Sequence, residues 1–527
     1  MFNHIKKFFD FKNILLLSFA FITSLLNCIG SEFETGYLSA NFSILVFLLK
    51  LIIITFILFM VTSFLTKFLM NININTTNDK THSKKFFIFS FLVIFVFWFI
   101  VLLAYYPGLL VYDYWNQINM IETGINEHHP LIHTLYLNFF YRIFDGIVDS
   151  KVISIFISTI IQMIVFDLSL SYLNYILYRI DINKKIIIFL VIFEAILPIF
   201  SVLSISHTKD VFFSAFFVLF IASNIEYIYL KKEFNKIIYI LSVVGIIISR
   251  NQGLYIFIVY LLFIIIKNKN LKKYLNKITI YGFLIGIFSL FLLRVLTHAR
   301  SGKKAEFVSV PAQAIARIDK LYIDDFDEET KKLLKKVIKE NVVYEPFRSD
   351  SVKNNLELAD FPNFANVIKK TIIRYPHEYL LSAYLLDIGY LYINDVQHAH
   401  IYKIVDEDNI RSTSGYFMTR SSGFTEINTY SKFKTLEKLY ENLFSKEEYQ
   451  KLFLIRYLFS PALYFYILFY SMILSIINKK EELHDIYVFI VLFVGTMLLG
   501  PCTLIRYALP YICITMPMLF VSIRKNN

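Results

Sequence analysis

Phe86-Phe87-Ile88-Phe89-Ser90-Phe91-Leu92-Val93-Ile94-Phe95-Val96-Phe97-Trp98-Phe99-Ile100-Val101-Leu102-Leu103 runs for 18 residues without a charged side chain. A helix rises 1.5 Å per residue, so about 20 apolar residues cross a hydrocarbon layer about 30 Å thick, and inside it the backbone must find its hydrogen-bond partners within its own segment. With its flanks, this run is read as a membrane helix over residues 86–106. The rest of the chain agrees. Its 527 residues are 57% hydrophobic and 18% aromatic, with 15 Gly, 11 Pro and 3 Cys. A soluble domain holds roughly 45–50% apolar residues. The composition therefore excludes a soluble enzyme, a disulfide scaffold, a collagen-like fibre and a disordered tail.

Outward from that run, eleven further segments read as membrane helices: 13–30, 42–68, 151–178, 186–206, 211–230, 237–250, 254–266, 278–297, 451–477, 485–500 and 503–523. The expected fold is an all-α polytopic membrane protein of about 12 transmembrane helices. Residues 1–297 form a transmembrane region with an outer loop at 107–150 that carries the chemistry. Residues 298–450 form an extracytoplasmic, mainly helical domain inserted before the last three helices, and residues 451–527 are the C-terminal transmembrane region. Within the inserted domain Glu328 to Val343 is an amphipathic helix with Leu333, Leu334, Val337 and Ile338 on one side. Tyr379 to Ile393 is apolar but short, and is placed on the membrane surface or in the domain core. The Leu25-Leu26-Asn27-Cys28 stretch is close to a lipoprotein cleavage site, but Asn27 is too large for it, so the first segment is read as an anchor.

The net charge of +12 belongs to the membrane loops, because residues 298–450 hold 22 basic and 23 acidic residues. No nucleic-acid partner is expected. With the N-terminus inside, the short inner loops hold 22 Lys and Arg, including Lys6, Lys7, Lys269, Lys272 and Lys273, against Arg142, Lys209, Arg250 and Arg506 outside. That asymmetry places the chain in the cell membrane as a multi-pass protein with both termini cytoplasmic.

The polar residues that stand out lie at outer helix ends. Pro107 and Gly108 close a membrane helix, and Asp113 follows among aromatics, where a carboxylate can serve as a general base or simply as the N-cap of a helix starting at Tyr114. His129 and His133, four apart and flanking a Pro130 that suits the first turn of a helix, could with Asp113 ligate a divalent metal. Within residues 107–150 there is no His-Glu-x-x-His, Cys pair or Asp-x-Asp, so a structural zinc is not expected and no cofactor is certain. Lys209-Asp210, Arg250 and Arg506-Tyr507 put cations where the topology rule disfavours them. Singly they read as cap or snorkelling residues; together they favour a phosphate ligand. Lys50, Asp167 and Glu194 lie inside segments, where charge is costly and often functional.

Many membrane helices, an Asp on the first large outer loop and cations for a lipid phosphate resemble the GT-C integral-membrane glycosyltransferases. Tyr106-Pro107-Gly108 with Asp113, His129-Pro130, Lys209-Asp210 and Arg506-Tyr507 with Pro510 are similar to an uncharacterised polytopic membrane protein family of Gram-positive bacteria. So are Ser309 to Arg317 and Ser349-Asp350-Ser351-Val352-Lys353, and the resemblance spans roughly residues 86–515. It implies transfer of a sugar from a polyprenyl-phosphate-linked donor to an envelope glycan or teichoic-acid-like acceptor at the outer face of the lipid bilayer. Asp113 would be the base, with His129 orienting it or contacting the acceptor. Lys209, Asp210, Arg250, Arg506 and Tyr507 would hold the donor, and residues 298–450 would cover the site and select the acceptor, with Gln313 and Arg317, four apart on one helix face, pointing toward it. The rivals are a lipid-linked oligosaccharide flippase or transporter, which would use Lys50, Asp167 and Glu194 at the midplane, and an envelope polysaccharide polymerase or ligase.

Overall fold

A computed structural model describes residues 10–110, 112–267, 274–302, 308–338, 342–353, 355–356, 361–394, 431–440, 442–443 and 448–525. Lys6, Lys7, Lys269, Lys272 and Lys273, used above for orientation, lie outside these residues. Among the described residues the chain is helical, with no strand and only isolated β-bridges. Helices of seven or more residues run as α1 (Phe11–Glu32), α2 (Ile44–Asn71), α3 (Ser83–Ala104), α4 (Tyr112–Thr123) and α5 (Leu131–Asn138). They continue as α6 (Lys151–Arg179), α7 (Lys184–Ile196), α8 (Pro198–Ser204), α9 (Lys209–Tyr229), α10 (Lys236–Ser249), α11 (Asn251–Lys267) and α12 (Tyr274–Thr297). After α13 (Ser309–Tyr322), α14 (Glu328–Val337), α15 (Phe361–Arg374), α16 (Pro376–Leu386) and α17 (Lys434–Tyr440) come α18 (Pro461–Ile477), α19 (His484–Met497) and α20 (Ile505–Ile523).

Each of the twelve apolar segments is helical, but their lengths differ from expectation. Among the described residues seven helices are long and apolar enough to cross a membrane, and α7 with α8, bent by 55° at their junction, makes an eighth if the pair is taken as one span. α10, α11, α18 and α19 have 14, 17, 17 and 14 residues, short of the length a straight span needs. The segment expected from residue 451 starts only at Pro461, whose missing N–H suits a first helical turn; short 3₁₀ turns precede it. On α2 only Leu51, Phe59, Thr62 and Thr66 are buried. Its Ile44, Leu45, Phe56 and Phe64, like Phe288 and Leu296 of α12, are more than 60% exposed, an apolar surface that lipid has to cover.

The 55° bend has a local cause. Pro198 has no N–H to offer the carbonyl of Glu194 four residues back. That carbonyl instead accepts from Trp98 Nε1 of α3 at 3.0 Å, so the helix can break inside the bundle without an orphaned backbone oxygen.

Residues 309–375 build a second hydrophobic cluster, in which Leu334 and Val337 of α14 meet Ile315, Phe364 and Val367. The amphipathic face expected for Glu328 to Val343 thus forms, but the helix stops at Val337 and Ile338 is extended. Residues 339–341 lie outside the described residues. Tyr384, Leu385, Ile388 and Tyr392 pack against Leu26, Ile29 and Phe33 at the end of α1, which is where the short apolar stretch after Tyr379 goes.

Candidate functional site

Two loops at one end of the bundle are clipped together. Leu109 N–H donates to the Ile205 carbonyl at 2.9 Å and His207 N–H donates back to the Leu109 carbonyl at 2.9 Å. The close approach needs Gly108: its φ is +135°, and a Cβ there would lie 2.4 Å from Thr159 Oγ1. α6 fixes both strands of the clip. Thr159 Oγ1 donates to the Pro107 carbonyl at 3.0 Å and lies 2.8 Å from His207 Nε2, and Gln162 Nε2 donates to the carbonyls of Ser204 and Ser206. The clip brings the first turn of α4, with Asp113, beside the first turn of α9, with Lys209 and Asp210.

A third segment joins from the far end of the chain. Tyr390 accepts the Leu504 N–H at 2.7 Å and donates to the Leu504 carbonyl at 2.9 Å, while Thr503 Oγ1 donates to the Leu386 carbonyl at 3.0 Å. Ser349 N–H donates to the Pro501 carbonyl at 2.9 Å. Residues 349 and 386–390 thereby set the start of α20, where Arg506 sits.

The fourth contributor is Arg250, in extended conformation between α10 and α11. The turn is tight because a Cβ on Gly253 would come within 2.2 Å of the Ile246 carbonyl oxygen.

These four segments build one ion cluster. Asp113 Oδ2 lies 3.6 Å from Lys209 Nζ and 3.3 Å from Arg506 Nη1. Asp210, completely buried, lies 2.9 Å from Arg250 Nη1 and 3.5 Å from Arg506 Nε. Both arginines lie over the Tyr507 ring, at 4.3 Å for Arg250 and 5.2 Å for Arg506. Asp113 is therefore not a helix cap: α4 starts at Tyr112, and the carboxylate faces cations. Asp210 is not one either, since Thr208 caps α9 and its hydroxyl donates to Asp210 Oδ2 at 2.9 Å.

Among the described residues three cations face two carboxylates, one positive charge more than the carboxylates offset. Arg250 Nη1 and Arg506 Nε are enclosed, and among the described residues neither has an aligned hydrogen-bond acceptor despite the short contacts to Asp210. Buried donors of that kind are costly unless an acceptor arrives.

Burial would push the Asp113 carboxyl up, but Lys209 and then Arg506 hold it well below the ordinary carboxylate range. His129 is driven the other way. Burial first, and Lys209 second, lower it to about 2, so its ring is neutral. Lys209 Nζ donates to His129 Nδ1 at 3.0 Å, leaving the proton on Nε2, which has no partner among the described residues. His129 therefore reaches Asp113 through Lys209 and not directly. His133 and His207 are lowered to about 3, in both chiefly by burial.

Of the residues singled out in the sequence, Asp113, His129, Lys209, Asp210, Arg250, Arg506 and Tyr507 come together, and Gln313 and Arg317 do not join them. Arg317 is buried in an ion pair at 2.6 Å with Glu378, and it also donates to the Gly36 carbonyl at 2.9 Å. Gln313 donates to the Glu345 carbonyl. Gln313 and Arg317 are thus spent on contacts to Glu345 and Glu378, and Arg317 also ties α13 to the turn after α1 through Gly36.

His129 precedes α5 and His133 lies inside it, bonded to Gln117 at 2.8 Å, so they do not share a helix face. Among the described residues no group of three His, Cys, Asp or Glu is arranged to hold a metal ion. Lys50 is not at a midplane: it lies in the second turn of α2 and pairs with Glu32 at 3.5 Å across the α1–α2 turn. Thr159, Gln162 and Tyr390 were missed. Thr159 and Gln162, three apart in a helix that also carries Ser154, Ser158 and Asp167, belong to a readable polar signal; Tyr390 carries none.

The fold and the cluster define a class: among the described residues, a helical chain with seven helices long and apolar enough to cross a membrane and a cation-rich site at one end of the bundle. Within that class the chain belongs to DUF6020, a family of unknown function, whose model matches residues 121–527. No curated protein and no solved structure matches it.

Proposed function

We propose that the protein is an integral-membrane glycosyltransferase of the GT-C type, moving a sugar from a polyprenyl-phosphate donor to a cell-envelope acceptor on the outer face of the membrane. One observation carries this reading: Asp113 meets Lys209 and Arg506, and Asp210 ties Arg506 to Arg250, so that four separate parts of the chain build one enclosed cluster in which three cations face two carboxylates. The donor phosphate occupies Lys209, Arg250 and Arg506, whose two arginine forks suit phosphate oxygens. As long as Lys209 and Arg506 grip Asp113, it is a poor base. Phosphate draws both cations away and restores its basicity.

The acceptor hydroxyl then attacks the anomeric carbon. Asp113 takes its proton, the new glycosidic C–O bond forms, and the bond from that carbon to the phosphate oxygen breaks. The cations stabilise the charge that develops on the leaving phosphate. In this reading the four short apolar helices complete a twelve-span bundle with both termini cytoplasmic. Residues 298–450 lie outside, where they cover the site and select the acceptor. The hydrogen bond from Ser349 to Pro501 is the kind of link such a cover needs.

The test is Asp113→Asn, which keeps the shape and removes the charge. With purified protein, a lipid-linked sugar donor and envelope acceptor, turnover should fall at least about 10²-fold while insertion and stability stay near parental, the usual range for losing a general base. Parental turnover would sink the assignment. A flippase reading has Asp167 and Glu194, buried inside α6 and α7, in its favour; it predicts that lipid-linked oligosaccharide crosses vesicle membranes with no glycosidic bond made.

A further inference from the structure

Asp167, near the middle of the 29-residue α6, and Glu194, in the turn of α7 before the break at Pro198, are 0% and 2% exposed. A hydrogen-bonded chain joins them. Ser171 Oγ donates to Asp167 Oδ1 at 3.0 Å and lies 3.3 Å from Ser90 Oγ of α3, and Asn174 Nδ2 donates to Ser90 Oγ at 3.3 Å and to Glu194 Oε2 at 2.7 Å. Among the described residues neither carboxyl forms an ion pair. Arg179, at the end of α6, is already committed to Glu226 and Glu233.

Two oxygens of this chain are left over. Asp167 Oδ2 and Asn174 Oδ1 are buried and have no hydrogen-bond partner, and the Asn174 amide sits between Ser90 and Glu194. The other titratable groups around the chain do not supply a charge. Cys513 of α20 faces Glu194, while Tyr172 and Glu226 bond each other toward Arg179. Lys84 and Lys85 at the start of α3 are exposed.

Two ionised carboxylates without a countercharge are not tolerated in an apolar interior, because nothing there replaces their hydration and they repel each other. Some positive charge has to accompany them. The free oxygens come from a carboxylate and an amide, beside two hydroxyls, which is a hard-oxygen set suited to a small cation. We propose that Asp167, Asn174, Glu194, Ser90 and Ser171 form a binding site for monovalent cations, one charge for each carboxyl, held either as protons alone or as one sodium ion beside one proton, inside the bundle and separate from the Asp113 cluster. This does not depend on the transferase reading.

The experiment uses the full chain in lipid nanodiscs and follows the midpoint of thermal unfolding while NaCl replaces choline chloride at constant ionic strength, with a parallel pH series free of sodium. Ligand that binds only the folded state raises that midpoint saturably. A sodium-specific rise that disappears in Asp167→Asn and Glu194→Gln assigns the site to sodium. A rise as pH falls toward about 6.5, above the range in which the buried histidines oppose it, that ignores sodium, together with an infrared band of a protonated carboxyl that either variant removes, assigns it to a proton.

If a variant does not fold, the sodium titration and infrared spectrum of the parental protein, with Asn174→Ala as the milder change, still decide. Asp113→Asn should keep the full response whatever it does to turnover, so failure here and failure of the transferase reading are distinguishable. No sodium response and no variant-sensitive carboxyl band, or stabilisation by magnesium or calcium alone, would overturn the proposal.

Discussion

Arg506 lies within 3.5 Å of both carboxylates of the cluster, through Nη1 to Asp113 and Nε to Asp210. Lysine carries the same charge on a single point and cannot span both, so Arg506→Lys should weaken donor binding by about 2–5 kcal/mol, the range for removing one partner of a desolvated charged contact. Titration with the lipid-linked donor measures it; unchanged affinity would reduce Arg506 to a topological charge. His129, His133 and His207 make a second residue-scale prediction. Their folded values, about 2, 3 and 3, lie below the ordinary 6.5 because burial disfavours the charged ring.

The unfolded chain therefore takes up protons that the folded chain refuses. Their contribution to stability is complete above about pH 6.5 and declines as pH falls from there, with a limiting slope of about 4 kcal/mol per pH unit for three groups at about 1.4 each. Asp113, held low by Lys209 and Arg506, adds its own loss only below about pH 4, where an unfolded Asp protonates. Unfolding midpoints measured across this range check the sign, and a flat profile between about pH 6.5 and 4.5 contradicts it.

At the scale of elements, the break between α7 and α8 is the feature whose cause is most local. Pro198 withholds a backbone donor and Trp98 supplies one. Trp98→Phe keeps a ring that can stack on Phe166, 5.3 Å away in the parental protein, but leaves the Glu194 carbonyl unsatisfied. The expected cost is about 1–3 kcal/mol, read as a lower midpoint of thermal unfolding in nanodiscs. A midpoint equal to the parental one would mean that another donor reaches that carbonyl.

The elements were largely legible because hydrocarbon imposes its own composition: α3 follows from the run 86–103 without any knowledge of its neighbours. Their ends were less so. Residues 451–460 are apolar enough to extend α18, yet Pro461 sets its start, and α10 and α11 read as spans although the chain turns at Arg250 after 14 residues.

For the whole molecule, the orientation proposed from the basic loops is testable on a variant lacking Cys28, Cys502 and Cys513. Thr77 and Thr123, both exposed, flank α3 at opposite ends. A membrane-impermeant thiol reagent added outside intact cells should label Thr123→Cys and spare Thr77→Cys; the reverse pattern would invert the bundle. By itself the sequence determined that this is a helical protein for an apolar solvent, since charge-free runs of that length have no other stable use, and it marked Asp113, Lys209, Arg250 and Arg506 as charges standing at helix ends. Only the tertiary structure decided which of those charges meet. Asp113 and Arg506 are separated by almost 400 residues, and their contact rests on a two-bond clip between loops, on Thr159 and Gln162 of α6, and on a tyrosine at 390 that nothing in its surroundings singles out. Gln313 and Arg317 had as good a local pattern and went elsewhere, because Glu378 offered Arg317 a buried partner inside its own cluster. Spacing along a chain ranks candidates within one helix, whereas pairing between distant segments is set by packing, and packing is a property of the whole fold.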